Sequence, residues 1–227
     1  MMHGISDMIE NIKLQNLLPR VFRGMEDFDR IRESEVWLKD SLILERGCRV
    51  CISAESGSGK SSLLSFIYGN RTDYDGHIFL GNKDISTFSI DDWCGLRRSA
   101  LALLPQELRL FPELTVIENI QIKNRLTLHK SERQIMEMLE QLGVAEKCAT
   151  PVGLLSIGQQ QRVALVRSIC QPFDFIFLDE PVSHLDAVNN KMVARLIEEE
   201  AAAQGAGIVA TSVGHHLMLS DAKFIAL

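Results

Sequence analysis

The chain has 227 residues, 46% hydrophobic and 24% charged, with a net charge of −6. Those proportions suit an ordinary globular protein with one sizeable core, and they exclude one held to nucleic acid by a broadly basic surface. No apolar run reaches the roughly 18 residues of a membrane span, and Met1-Met2-His3-Gly4-Ile5-Ser6-Asp7 shows neither a basic n-region nor an apolar h-region. The expected location is therefore cytoplasmic, with any membrane association made through a partner.

In chain order, Met8-Ile9-Glu10-Asn11-Ile12-Lys13-Leu14 and Glu35-Val36-Trp37-Leu38 pattern as strands, with a charged loop or extended hairpin over 20–32 between them. Phe22 or Trp37 offers a ring able to stack on a base or simply to pack; Trp37 reads as packing and Phe22 stays open. Five scattered cysteines, an odd number in a chain this long, argue against disulfide staples. Cys48-Arg49-Val50-Cys51 has C-x-x-C spacing, but in a strand its two thiols face opposite sides, and no second ligand pair matches it. Core cysteines are the better reading. His215-His216 likewise lacks the further ligands of a metal site.

A buried strand over 48–53 delivers the chain into Ala54-Glu55-Ser56-Gly57-Ser58-Gly59-Lys60-Ser61-Ser62, which is followed by the apolar helical run Leu63-Leu64-Ser65-Phe66-Ile67. A glycine-rich turn between strand and helix points successive N–H groups at one centre and adds the positive end of the helix dipole. Phosphate oxygens are the natural guest, with Lys60 reaching the β- and γ-phosphates and the Ser61 hydroxyl ligating Mg²⁺. The pattern G-x-x-x-x-G-K-[ST] is met except at its first position, where Ala54 replaces glycine and is expected to carry strain if φ there is positive.

Beyond it, Asp73-Tyr74-Asp75-Gly76 reads as a turn, His77-Ile78-Phe79-Leu80 as a strand with a tight turn at Gly81-Asn82-Lys83, residues 90–98 as a helix and 100–104 as an apolar strand. Residues 126–143 place Ile135, Met138, Leu139 and Leu142 on one helical face, with Gly143 as the stop. Ser156 is the candidate N-cap of a helix running to about 169. Phe173-Asp174-Phe175-Ile176-Phe177-Leu178 is a strand of the buried parallel type, ending in Asp179-Glu180-Pro181. A helix over 189–204, a strand over 207–211 and a closing strand over 224–227 complete the alternation. The fold class is α/β: a phosphate-loop NTPase core with a parallel-rich sheet flanked by helices, an N-terminal antiparallel part and an inserted helical subdomain. One domain spans 1–227, with 1–88 and 172–227 as the nucleotide-binding core and 89–171 as the helical subdomain.

Asp179-Glu180 at a strand's carboxyl end supplies a second half to the Lys60 site: one carboxylate to hold Mg²⁺, its neighbour to polarise attacking water. With these motifs in place, the chain resembles the ATP-binding subunits of ABC (ATP-binding cassette) transporters along essentially its whole length. Ala54–Ser62 resembles the Walker A loop, Gln106 in Leu104-Pro105-Gln106 the Q-loop glutamine, and Leu155-Ser156-Ile157-Gly158-Gln159-Gln160-Gln161-Arg162 the family signature, with Ile157 replacing its first glycine. Phe175–Glu180 resembles Walker B with the catalytic glutamate, and Ser183-His184-Leu185-Asp186 the D-loop.

The resemblance implies ATP and Mg²⁺ as ligands. It assigns nucleotide contacts to Ser56, Gly57, Ser58, Gly59, Lys60, Ser61 and Ser62 and, across a head-to-tail dimer, to Ser156, Gly158, Gln159 and Asp186. Metal binding falls to Ser61, Gln106 and Asp179, and catalysis to Glu180 and Gln106. The family's switch histidine follows the last core strand; here Thr211-Ser212-Val213-Gly214-His215-His216 puts Ser212 in its place, and His215 is the candidate catalytic histidine if the loop is rearranged. Expected partners are a second copy or a paired ABC subunit and a separately encoded transmembrane permease at the inner face of the membrane, received near residues 108–119. The Gln-Gln-Gln-Arg ending resembles lipoprotein-release and cell-division ATPases. The altered switch also fits an alternative, a low-turnover regulatory clamp on a membrane partner. A chromosome or DNA-repair ATPase of the family is disfavoured, because neither a coiled coil nor a basic surface is present.

Overall fold

The computed structural model describes residues 8–55 and 57–227. In its first half the elements are β1 (Asn11–Pro19), α1 (Asp29–Arg32), β2 (Leu42–Glu45), β3 (Arg49–Ser53), α2 (Lys60–Ile67), β4 (Tyr74–Leu80), β5 (Lys83–Asp84), α3 (Ile90–Ser99) and β6 (Leu101–Leu104). There follow α4 (Val116–Asn124), α5 (Glu132–Gln141), α6 (Ile157–Ile169), β7 (Phe175–Asp179), α7 (Ala187–Gln204), β8 (Gly207–Ser212) and β9 (Lys223–Ala226).

β7 and β8 are buried end to end and apolar up to their carboxyl ends, as strands covered on both faces must be. They lie in a five-stranded parallel sheet of order β6-β7-β8-β3-β9, while β2-β1-β4-β5 form a separate antiparallel sheet. Alternation along β7 divides the core. Phe175 and Phe177 pack with Phe66 of α2 and with Ile12 and Leu14 of the antiparallel sheet. Ile176 and Leu178 pack on the other side with Val163 and Ile169 of α6 and Ile197 of α7. The fold is thus α/β, with the phosphate loop leaving a central strand, β3, at the sheet's carboxyl edge, where open parallel sheets hold ligands.

Several boundaries differ from the sequence expectation, each for a local reason. Trp37 lies buried in a turn rather than a strand: Ser34 Oγ accepts the N–H groups of Val36 and Trp37 at 3.0 and 2.9 Å, Leu38 is left-handed at φ 57°, and the strand falls at β2. Side-chain bonds to nearby amides compete in this way with a strand ladder. Asp73-Tyr74-Asp75-Gly76 is not a turn, because β4 begins at Tyr74; Gly76 lies opposite a register shift in β1 between Gln15 and Leu18. The helix expected over 126–143 begins only at Glu132, behind a Ser131–Gln134 capping box, and α4 precedes it with its own Thr115–Glu118 box. Within the segment 89–171, β6 pairs with β7 inside the parallel sheet. Residues 20–32 contain the short α1 rather than a hairpin. Among the described residues no helix is long and apolar enough to cross a membrane.

Candidate functional site

Parallel pairing sets Ser53 beside Ser212 and Asp179 beside Thr211, so the ends of β3, β8 and β7 meet. From β3 the chain enters the 54–59 loop, where Gly57 (φ +80°) and Gly59 (φ +99°) adopt left-handed conformations before α2 begins. A Cβ at Gly59 would also meet Trp37 Cζ2 at 3.0 Å, so glycine is needed there for both φ and space. Ala54 is not among the positive-φ residues, and its N–H donates to the Ser212 carbonyl at 3.4 Å. The strain expected of the alanine does not arise. Ser56 lies outside the described residues.

The Lys60 ammonium folds over the loop and donates to the carbonyls of Ala54 at 3.1 Å and Glu55 at 2.7 Å. Burial pushes its pKa down while the nearby Glu180 and Asp179 carboxylates oppose that shift. Beneath the loop, the Trp37 indole N–H donates to the Ser58 carbonyl at 3.3 Å, and Phe22 packs edge-on against Trp37. Phe22 is buried against Trp37 and lines the mouth of the cleft together with Val21, an exposed side chain that the sequence reading did not single out. One open cleft gathers Gly57, Gly59, Lys60, Ser61, Ser62, Gln106 and Glu180. The Ser62 hydroxyl accepts from Arg71 at 2.7 Å.

At the end of β7, Thr211 Oγ1 donates to Asp179 Oδ1 at 2.6 Å and accepts the Glu180 N–H at 3.3 Å. Glu180 is left-handed, at φ 50°. No group of three or more His, Cys, Asp or Glu side chains is gathered for a metal among the described residues. The hydroxyl, amide and carboxylate oxygens of Ser61, Gln106 and Asp179 are instead hard donors, which suit a magnesium ion that takes its remaining ligands from water and phosphate. Burial pushes the Cys48 and Cys51 thiols up to about 11, as befits core cysteines.

A second group of motif residues lies elsewhere. Ser156 caps α6: its oxygen accepts the Gln159 N–H at 3.3 Å, and the Gln159 side chain accepts the Ser156 N–H at 3.0 Å. Gly158 packs on the 183–185 turn, where a Cβ would sit 3.2 Å from the His184 carbonyl oxygen. Asp186 caps α7, and its bonds from the Asn189 N–H and side-chain amide hold its carboxyl below the usual range. None of Ser156, Gly158, Gln159 and Asp186 lines the Lys60 cleft. Within one chain the motifs form two separate surfaces.

His215 is exposed, and among the described residues no side-chain hydrogen bond joins it to Asp179, Glu180 or Gln106. The imidazole bonded to the strand end is that of His216, whose Nδ1 lies 2.5 Å from Ser212 Oγ. The loop is drawn toward α7 because the buried Asn190 side chain donates to the His216 carbonyl at 2.8 Å. In this arrangement of the loop His216, not His215, is the histidine bonded to the end of β8.

Comparison with known proteins agrees with this arrangement. The ABC transporter family model matches residues 38–183. An ABC transporter ATP-binding protein of Mycobacterium tuberculosis (strain CDC 1551 / Oshkosh) is 34% identical over 184 residues, 80% of this chain; the chain spans only 56% of that relative's length. The lipoprotein-releasing system ATP-binding protein LolD of Aquifex aeolicus is 33% identical over 190 residues, covering 82% of this chain and 80% of LolD. A dimeric post-hydrolysis ATP-binding cassette bound to ADP and phosphate shares the fold, with a TM-score of 0.72 at 21% identity over 94% of each chain. With a phosphate loop, an acidic strand end and a capped signature helix on this two-sheet fold, the chain belongs to the ABC transporter family.

Proposed function

We propose that the chain is the ATP-binding and ATP-hydrolysing subunit of an ABC transporter, acting as a head-to-tail pair that drives a separately encoded permease. The observation that carries this reading is the single cleft that gathers the Lys60 loop, Gln106 and Glu180. Lys60 and the N–H groups of the loop hold the β- and γ-phosphates, trading the Ala54 and Glu55 carbonyls for phosphate oxygens. Ser61, Asp179 and Gln106 hold a magnesium ion, which when bound neutralises charge on those oxygens. Glu180 takes a proton from the water that attacks the γ-phosphorus in line, as the bond to the bridging oxygen of ADP breaks.

Ser156 and the Gly158 N–H lie off the cleft in their own chain, so they complete the site only from a second copy, at a helix N-terminus suited to the γ-phosphate. The dimeric state of the ADP-bound cassette that shares the fold, and the lipoprotein-releasing system to which LolD belongs, support this arrangement. In the pair, ATP drives closure and product release reopens it, a ligand-driven shift between two states.

Steady-state ATP hydrolysis with Mg²⁺, run beside Glu180→Gln, tests the reading. Turnover lost in the variant with nucleotide binding retained is the expected result; wild-type protein that binds no ATP would overturn it. A second reading, a low-turnover clamp on a membrane partner, draws support from the His216–Ser212 bond and from Ile157 in the signature. It predicts ATP-dependent pairing with little hydrolysis, even beside the permease.

A further inference from the structure

Two turns near the cleft hold non-glycine residues in the left-handed region: Glu180 (φ 50°), and the pair Leu108 (φ 58°) and Arg109 (φ 49°) just after Gln106. Such conformations disfavour L side chains and persist only where surrounding contacts over-determine them. In both turns a side chain of the same helix supplies part of those contacts. Gln161, buried in α6, donates from Nε2 to the Glu180 carbonyl at 3.1 Å, and its Oε1 accepts the His184 N–H at 3.3 Å. One planar amide thus spans the turn after β7. Arg167, two turns further along, donates from Nη1 to the Arg109 carbonyl at 2.7 Å and from Nη2 to the Leu108 carbonyl at 2.5 Å. Its rigid fork matches two consecutive carbonyls as a lysine cannot.

Arg167 is half-buried, and among the described residues its hydrogen bonds go to carbonyl oxygens and not to a carboxylate. Burial pushes its pKa down, and the Lys123 ammonium close by adds a like charge. Holding a partly desolvated cation against carbonyl oxygens costs free energy, and what it secures here is the loop that presents Gln106. That loop is tight: the Leu108 N–H donates to the Pro105 carbonyl at 3.0 Å, closing a turn around Gln106. Gln161 and Arg167 are about 9 Å apart along one helix. Between them Val163, Leu165 and Val166 are buried, and the signature cap at Ser156 forms the helix's leading end.

We propose that Gln161 and Arg167 are positioning residues through which α6 moves the Glu180 turn and the Gln106 turn as one unit. A contact made at the Ser156 end of α6 then reaches the water-polarising carboxylate and the metal-contacting amide together. This deepens the ATPase reading and rests on it for its catalytic consequence.

The test uses the full chain with Gln161→Leu, Arg167→Met, the conservative Arg167→Lys, and the Gln161→Leu/Arg167→Met double variant. Hydrogen exchange is followed at 106–110 and 180–184, alongside melting temperature, ATP affinity and turnover. Each single variant is expected to speed exchange in both loops. Each should also lower kcat by about 10- to 100-fold while KM and ATP affinity stay within about threefold, with Arg167→Lys intermediate and the double variant little worse than the worse single one. Faster exchange confined to the mutated side chain's own loop overturns the coupling. So does a fall in kcat that tracks lost ATP affinity or lost folded protein, because packing alone would give that. Wild-type protein that binds no ATP sinks the ATPase reading, while the exchange pattern still decides whether the two loops move together.

Discussion

Thr211 reaches both acids at the end of β7 with one buried hydroxyl, donating to Asp179 at 2.6 Å and accepting from the Glu180 N–H at 3.3 Å. Replacing it by valine keeps the volume but leaves a buried carboxylate and an amide each short of a partner. Thr211→Val is expected to lower ATP turnover by about 10- to 100-fold, with a smaller loss of ATP affinity. Thr211→Ser, which keeps the hydroxyl, should retain most of the rate. Steady-state kinetics beside nucleotide titration will separate the two.

The Ser156–Gln159 capping box has two roles that substitution can pull apart. Ser156→Ala removes the cap, which costs about 1 kcal/mol and, in a chain of this size, lowers Tm by about 2–4 °C. Ser156→Asp restores a cap acceptor and suits the helix dipole, so stability should return. Its charge would face the partner's γ-phosphate in the proposed pair. ATP-dependent dimerisation, followed by light scattering, is therefore expected to fail in Ser156→Asp even though the monomer melts like wild type.

The parts of the site legible in the sequence are those whose spacing along the chain is their geometry. Gly57-Ser58-Gly59-Lys60-Ser61 is a turn feeding a helix, Asp179-Glu180 ends an apolar strand, and Ser156 with Gln159 is a cap four residues long; none needs a distant partner to be recognised. Thr211, Gln161 and Arg167 are different. Their contacts with Asp179, Glu180 and the Leu108 carbonyl depend on strand register and on where α6 packs, which local spacing does not encode. The same limit applies to the pair His215-His216: Asn190, more than twenty residues upstream, bonds the loop so that His216 meets the strand end. β6 reads correctly as a strand but looks like part of a helical insertion, because its partner β7 lies some seventy residues on. Trp37 misleads for the opposite reason, since the Ser34 hydroxyl satisfies amides that a strand would otherwise pair.

His129 lies between α4 and α5, next to the Lys130–Glu200 ion pair that ties this region to α7. Burial, reinforced by the Lys130 charge and opposed by Glu200, holds its pKa below the ordinary value near 6.5. The folded state therefore favours the neutral ring, and as pH falls the unfolded chain takes up the proton first. Its contribution to stability is complete above about pH 6.5 and drains away as pH drops toward the lower folded value. Wild type should lose Tm as pH falls below about 6.5 more steeply than His129→Gln, which cannot titrate. Parallel melting curves that keep a constant offset across that range would contradict this assignment.

Gly76 offers the sharpest stability prediction, because two glycines in one hairpin share a positive φ and differ sharply in what surrounds them. Both have positive φ, +91° at Gly76 and +57° at Gly81. A Cβ at Gly81 meets nothing within 4 Å, whereas one at Gly76 would stand 2.3 Å from the Asn16 carbonyl oxygen and 2.5 Å from that of Gln15. Those obstacles are backbone atoms in the bulge of β1, and they yield only if the β1–β4 ladder shifts register. Gly81→Ala therefore bears the left-handed penalty alone, about 1 kcal/mol, while Gly76→Ala adds an overlap that should bring the loss to about 3 kcal/mol or more. Urea midpoints for the two variants will measure the difference. Equal midpoints would mean that β1 relaxes around the added methyl, and the bulge would then be a soft feature of the sheet rather than one that requires glycine.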